Sequence, residues 1–226
     1  MSSHSHKRLS IDTLDETILR QYLPEEIVAA LRGTGPRLSA EALLPHIQRL
    51  SALLHAISTY IPADIAREQM TDPVAGRIQG DFQTGTLLYA DVSGFTAMSE
   101  KLGSLGKVGA EEIARVVNGL FTALLAAANR QGGVLLKFGG DALIVFFTGP
   151  DHAPRAVRAA LTMQRAMRWF KAVETRGGVF PLRMTVGLHS GDFFRAEVGS
   201  QERIELVITG HAVNRTAQVQ GLATPD

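Results

Sequence analysis

With 226 residues and 45% hydrophobic content, the chain can bury the core of one ordinary domain plus an appendage, which excludes a disordered class. A net charge of +1, with basic residues scattered among acids, provides no field suited to nucleic acid, so nucleic acid is not an expected partner. Cysteine is absent, which excludes disulfides and thiolate metal sites. No stretch approaches the ~18 apolar residues of a membrane span, and the N-terminal MSSHSHKRLS lacks the apolar core of a secretion signal, so the expected location is the cytoplasm.

Apolar residues recur at helical spacing over 13–31 and 40–60, separated by Gly33-Thr34-Gly35-Pro36, which predicts a helical hairpin. Leu43, Leu44, Ile47, Leu50, Leu54 and Ile57 share one broad face of the second helix. Such a face more often packs into a core than forms a dimerisation surface, and packing is the expectation here. Residues 60–66 form a short helical preface and 72–85 a connector, so 1–80 reads as one segment and 81–226 as a domain.

The domain opens with a strand over 86–92. A helix over 110–130 follows, burying Ile113, Val116, Val117, Leu120, Phe121 and Leu124 and ending at Gly132-Gly133. Strands at 134–138 and 142–147 are joined by Gly139-Gly140-Asp141, a hairpin signature. A second helix from about Pro154 to Val173 precedes strands at 182–188, 193–198 and 204–208. The order β-α-β-β-α-β is the α+β, ferredoxin-like arrangement, with helices on one face of an antiparallel sheet and the other face free.

Two aspartates stand where an apolar strand gives way to a Gly-containing turn: Asp91 in Tyr89-Ala90-Asp91-Val92-Ser93-Gly94-Phe95-Thr96, and Asp141 in Lys137-Phe138-Gly139-Gly140-Asp141-Ala142. One such Asp is more often a turn former or helix N-cap. Two in this context suit a pair of hard cations held against a triphosphate, because Mg²⁺ takes one or two protein carboxylates and leaves its other positions to water and phosphate. Ser93, Gly94, Phe95 and Thr96 follow at a predicted helix start, where free N–H groups favour phosphate and Gly94 permits close backbone approach. Gly94 also fits an ordinary turn and Phe95 a core position.

The runs YADVSGFTAMSEKL, VLLKFGGDALIVFF, MTVGLHSGDFFRAEVGS and ITGHAVNRTAQVQGLA occur in that order. Over about residues 84–226 the chain thereby resembles the class III nucleotidyl cyclases, the adenylyl and guanylyl cyclases. LLKFGGDAL and RIELVITGHAVN are most similar to the first cyclase half of soluble, bicarbonate-responsive-type tandem adenylyl cyclases. Gly139-Gly140-Asp141 also resembles the diguanylate cyclase signature, but the Glu-Phe that completes it is missing. The resemblance implies ATP cyclisation to cyclic AMP and pyrophosphate with two Mg²⁺ or Mn²⁺ ions per site. Asp91, Asp141 and the backbone carbonyl of Val92 correspond to the metal ligands. Lys137 corresponds to the base-selecting position that is Lys in adenylyl and typically Glu in guanylyl cyclases, a lysine donating to adenine N1 where guanine presents donors. Val207 occupies the second base-reading position and Asn214 the ribose-positioning one.

The sequence departs from the pattern at Gln218, where the resemblance implies an Arg that stabilises phosphate charge, and at Thr185, a position commonly basic; Arg183 stands two residues before it. Arg215, offset by three residues, is expected to point away from Gln218. Cyclase sites form between two domains, so the resemblance implies a second cyclase domain as partner, in a homodimer or a tandem of which this is the metal-bearing half. It also implies further strands beyond residue 226. The alternative is a catalytically weak, nucleotide-binding regulatory module.

Overall fold

The computed structural model describes residues 16–71, 74, 78–200 and 203–225, and the chain divides into two compact units, 1–73 and 74–226. In the first unit the single helix expected over 13–31 is two, α1 (Glu16–Tyr22) and α2 (Glu25–Leu31), with Pro24 at the N-cap of α2. Proline lacks an N–H for the preceding turn and disfavours the α conformation at Leu23, which breaks the segment there. Residues 13–15 lie outside the described residues. α3 (Ala40–Ser58) starts at Ser39, whose hydroxyl accepts from the Ala42 N–H, and α4 (Ala63–Thr71) supplies the expected preface.

The expectation that α3 buries its apolar face fails. No residue of α3 is buried, and Ile47 and Ile57 are 56% and 57% exposed. Among the described residues of this unit only Ile27 and Val28 are buried hydrophobics, so it has no core large enough to receive that face.

The second unit runs β1 (Gln79–Ser93), α5 (Phe95–Gly103), α6 (Lys107–Arg130), β2 (Val134–Gly139), β3 (Ala142–Thr148), α7 (His152–Met167), a 3₁₀ turn at Arg168–Phe170, a small hairpin of β4 (Val173–Thr175) and β5 (Gly178–Phe180), β6 (Arg183–Gly199), β7 (Ile204–Thr209) and α8 (His211–Gly221). The main sheet is antiparallel in the order β2-β3-β1-β6-β7. Without β7 this is the ferredoxin-like order, so the expected fold class is present.

Three elements differ from expectation. β1 begins at Gln79, because its whole length pairs with β6 from Gln79↔Glu197 to Ser93↔Arg183; part of the expected connector is therefore strand, and residues 72, 73 and 75–77 lie outside the described residues. The same pairing fuses the strands expected at 182–188 and 193–198 into β6, His189–Asp192 being held opposite Leu87–Thr84. The helix expected to reach Val173 ends at Met167, and the β4–β5 hairpin follows the 3₁₀ turn.

Alternation along β1 assigns its side chains to two faces. Leu88, Ala90 and Val92 join Met98 and Leu102 of α5, Val116, Leu120 and Leu124 of α6, and Ala156, Ala159 and Met163 of α7 in the main core. The alanines of α7 let that helix approach the sheet closely. Its first residue is tied down as well, His152 Nδ1 lying 2.8 Å from the Thr86 hydroxyl, which is 2.7 Å from that of Ser190.

The opposite face is not left free, contrary to expectation. Leu87, Phe146 and Phe193 form a second cluster there with Ala212 and Val213 of α8. α8 lies flat on β6, and the contact is closest at Gly187, where a Cβ would come within 2.5–2.7 Å of the Gln220 backbone nitrogen, Cβ and Cα. Gly187→Ala is therefore expected to lift α8 and destabilise the domain by roughly 1–3 kcal/mol. Gly119→Ala, in α6 with nothing within 4 Å of the added carbon, is expected to stabilise by about 0.5–1 kcal/mol. Urea denaturation of both variants measures the contrast.

Candidate active site

Register brings the two aspartates together. Asp91 is paired with Ala142 of β3 on one side and Thr185 of β6 on the other, and Asp141 immediately precedes Ala142 in the Gly140-Asp141 turn. Asp91 follows Leu87 and Tyr89 on the α8 side of the sheet and is half-buried. Its carboxyl is held above its ordinary pKa, first by burial and second by the charge of Asp141. Neither carboxylate has a hydrogen bond or ion pair among the described residues. Two facing anionic oxygen donors without a counter-charge are the donor set that suits hard divalent cations. Among the described residues no cluster of three or more His, Cys, Asp or Glu side chains exists, so this pair would depend on water and substrate oxygens for further ligands.

The segment after Asp91 turns sharply. Val92 is buried in the core, Ser93 ends β1, and Gly94 takes φ +90 as the N-cap of α5. A Cβ at Gly94 would run into the carbonyl oxygen of Pro181. The close approach inferred from the sequence is thus made by the chain itself. The N-cap of α5 is a glycine, so no side chain of that residue caps the helix, and the N–H groups of its first turn have no intrahelical acceptor. Phe95 packs against the core and Thr96 is exposed.

Arg183 opposes Ser93 across β1 and β6, at the same end of the sheet as the carboxylates. It lines a groove of about 280 Å³ with Arg165, Arg168 and Lys171, a basic cluster that the sequence reading missed because α7 and β6 bring it together. Thr185, directly opposite Asp91, accepts a 2.7 Å hydrogen bond from Gln220 Nε2 of α8. Gln220 was also missed, its role being visible only once α8 is seen to lie across β6.

Lys137 is exposed and paired with Ile144, on the α8 side of the sheet and one row of pairs from Asp91. Phe138 turns to the other side, its ring 4.9 Å from that of Phe121. The simple alternation that predicts this placement does not hold along the whole of β2, since Leu136 is an extra residue at a bulge between Leu135 and Lys137.

The remaining expected site residues lie elsewhere. Val207 pairs with Ala196, which pairs with Gly80, eleven residues from Asp91 along β1 and roughly 35 Å at strand rise. Asn214 is exposed on α8 only two residues after Ala212, which adjoins Gly191, itself opposite Gly85. Within one chain, then, Asp91, Asp141, Ser93, Gly94 and Arg183 come together, while Val207 and Asn214 do not join them. Arg215 does not point away from Gln218: its Nη1 donates to Gln218 Oε1 at 3.4 Å, as neighbours three apart on a helix surface can.

Residues 79–226, well over half of the chain, match the family described as the adenylate and guanylate cyclase catalytic domain. The chain belongs to that family. This cyclase domain is 30% identical to an adenylate cyclase of Anabaena cylindrica over 141 residues, 61% of the chain and 27% of that protein. It is 23% identical to adenylate cyclase 1 of Rhizobium meliloti (strain 1021) over 180 residues, 78% of the chain and 26% of the relative. The chain thus spans about a quarter of the length of these relatives. The structure of a bacterial light-regulated adenylyl cyclase shares the fold with a TM-score of 0.65 and 19% identity, covering 82% of this chain and 53% of that one. No helix among the described residues is long and apolar enough to cross a membrane.

The raised pKa of Asp91 has a definite sign. Its carboxyl ionises less readily in the folded cyclase domain than in the unfolded chain, so the fold loses stability as pH rises from the ordinary carboxylate range through the raised value. Asp141→Asn removes the second cause of the shift. In chelator-treated protein the variant should melt higher than wild type near pH 7, with the two converging near about pH 3, where carboxyls are protonated. Thermal melts across that range test this, and a variant that melts lower at neutral pH would mean that the carboxylates do not repel.

Proposed function

We propose that this domain is an adenylate cyclase, converting ATP to 3′,5′-cyclic AMP and pyrophosphate at an interface between two cyclase domains. The boundary of the catalytic domain lies near residue 80, at the start of β1, and a helical segment and connector precede it. The reading is carried by one observation: the strand register sets Asp91 beside Asp141 with no counter-charge. Asp91, Asp141 and the carbonyl of Val92 would hold two Mg²⁺ or Mn²⁺ ions. Bound there, the ions lower the pKa of the attacking ribose hydroxyl and neutralise charge on the departing pyrophosphate. The α5 N-terminus, with Ser93, Gly94, Phe95 and Thr96, receives phosphate oxygens on free N–H groups, and Arg183 adds charge beside them. Lys137 donates to adenine N1, favouring ATP over GTP. Val207 and Asn214 act on a site supplied by the second domain, in keeping with their separation from Asp91 within one chain. We place the domain in the cytoplasm.

Incubating the full chain with ATP or GTP and Mn²⁺, then separating the products, tests this. Cyclic AMP should form in preference to cyclic GMP, and Asp91→Ala and Asp141→Ala should each abolish formation and metal-dependent ATP binding without unfolding the domain. Equal calorimetric affinity for ATP with Mg²⁺ in wild type and both variants would end the reading.

A second reading, a regulatory module that binds nucleotide and turns it over weakly, is favoured by Gln218, a neutral side chain where the family resemblance implies a guanidinium. Such a loss costs roughly 10²–10³ in rate. Gln218→Arg is therefore expected to raise cyclic AMP formation if the chain pairs with itself. Activity that is unchanged by Gln218→Arg but lost in Arg215→Ala would instead assign the charge to Arg215, which already reaches that position.

A further inference from the structure

Helix α7 buries Ala156, Ala159, Met163 and Met167 and turns Val157, Leu161, Arg165 and Arg168 outward. Separated by four, four and three residues, these four form one stripe, apolar at its start and cationic at its end. Trp169 follows at once, 86% exposed and the one tryptophan of the chain. The turn around it is fixed. Phe170 packs against the core and its carbonyl accepts the Leu182 N–H at 2.9 Å, so the 3₁₀ turn holds the indole outward. Beside that turn, the groove of about 280 Å³ is lined by Arg165, Arg168, Lys171 and Arg183 and by no carboxylate. None of the four cationic groups has a hydrogen bond or ion pair among the described residues. Arg155, on the same helix, shows what a structural arginine does there: its guanidinium donates to the carbonyls of Thr148, Pro150 and Gln131. Four like charges around one groove repel, and nothing in the fold offsets that repulsion, so the groove suits an anion from outside the chain.

We propose that this face, Trp169 with the outward stripe of α7 and the adjoining groove, docks the catalytic unit on an anionic phospholipid membrane. Charge complementarity identifies the class of occupant, and the tryptophan identifies the member of that class. A dissolved phosphate would be held by the cations alone and would leave the indole in water. A bilayer takes both: headgroup phosphates meet Arg165, Arg168 and Lys171, whereas Trp169, Leu161 and Val157 enter the boundary between headgroups and acyl chains, the depth at which indole rings collect. Arginine and lysine suit that boundary, because their stems lie along apolar surface while the charge stays with the headgroups. The stripe is about 16 Å long at 1.5 Å per residue, so α7 lies along the membrane and does not enter it. Each cation near an anionic surface is worth about fivefold in partitioning, which makes the docking reversible and sensitive to salt.

Because the chain has a single tryptophan, its emission reads this face directly. The full chain, in chelator so that no metal bridges Asp91 and Asp141 to lipid phosphate, is mixed with vesicles of phosphatidylcholine alone or of equimolar phosphatidylcholine and phosphatidylglycerol. Co-sedimentation with the mixed vesicles only is expected, with a blue shift of the tryptophan emission that high salt reverses. The double variant Arg165→Gln, Arg168→Gln should weaken partitioning roughly 25-fold, and Trp169→Ala should weaken co-sedimentation as well, while urea denaturation finds both variants as stable as wild type. Since α3 also exposes apolar residues, co-sedimentation with an unchanged emission maximum, or undiminished in both variants, would overturn the proposal. Calorimetric binding of pyrophosphate that the arginine pair controls, without vesicle binding, would overturn it in favour of a dissolved phosphate. Binding of poly-L-glutamate without vesicle binding would overturn it in favour of an acidic protein.

Discussion

The register of β1 between β3 and β6 is the constraint on which the catalytic unit depends. Because side chains alternate along a strand, a slip of one residue would turn Leu88, Ala90 and Val92 out of the core and Asp91 into it. Burying an ionised carboxylate among Leu120, Leu124 and Phe147 without a partner would be prohibitive, so the hydrophobic pattern that fixes the core also fixes where the charge emerges. The same register puts Asp141 next to that charge. Folding thus assembles an electrostatically unfavourable pair, and the favourable burial of the apolar row on the other face is what holds it in place.

Across the sheet, α8 has a double role. It covers Leu87, Phe146 and Phe193 and, through Gln220, binds the side chain of Thr185 beside Asp91. The position opposite Asp91 is therefore filled by a neutral hydrogen-bonded pair, with Arg183 and its basic neighbours near the strand end. Asn214 and Gln218 remain on the exposed side of α8.

Much of this was legible in the residues. The strand ends at Asp91 and Asp141, the α6 face through Val116, Leu120 and Leu124, and the β2–β3 hairpin all follow from local periodicity and turn chemistry, and the fold class follows from their order. What local patterns miss depends on distant partners. Gly80 and Gly85 read as connector because nothing nearby shows that β6 pairs with them. His189–Asp192 read as a break between strands because turn-forming residues dominate there, yet long-range pairing overrides that preference. The packing of α8 onto the second face required knowing that Gly187 and Gly191 present no side chain to it, and the direction of Arg215 required helix geometry over the more intuitive idea that a three-residue offset turns a side chain away.

The bulge at Leu136 bears on how this stretch can change in length over evolution. Leu135 pairs with Val145 and Lys137 with Ile144, so Leu136 is surplus to the ladder while its side chain packs in the second cluster. Loss of that one residue would restore a regular ladder and leave Lys137 and Gly139 opposite the same partners and Asp141 in the same turn, with a single leucine missing from the second cluster. Homologues of this strand can therefore differ by one residue between the end of α6 and the Lys137-to-Asp141 run without a frame error in the site, and an alignment gap at that point would mark a straightened strand with its chemistry intact.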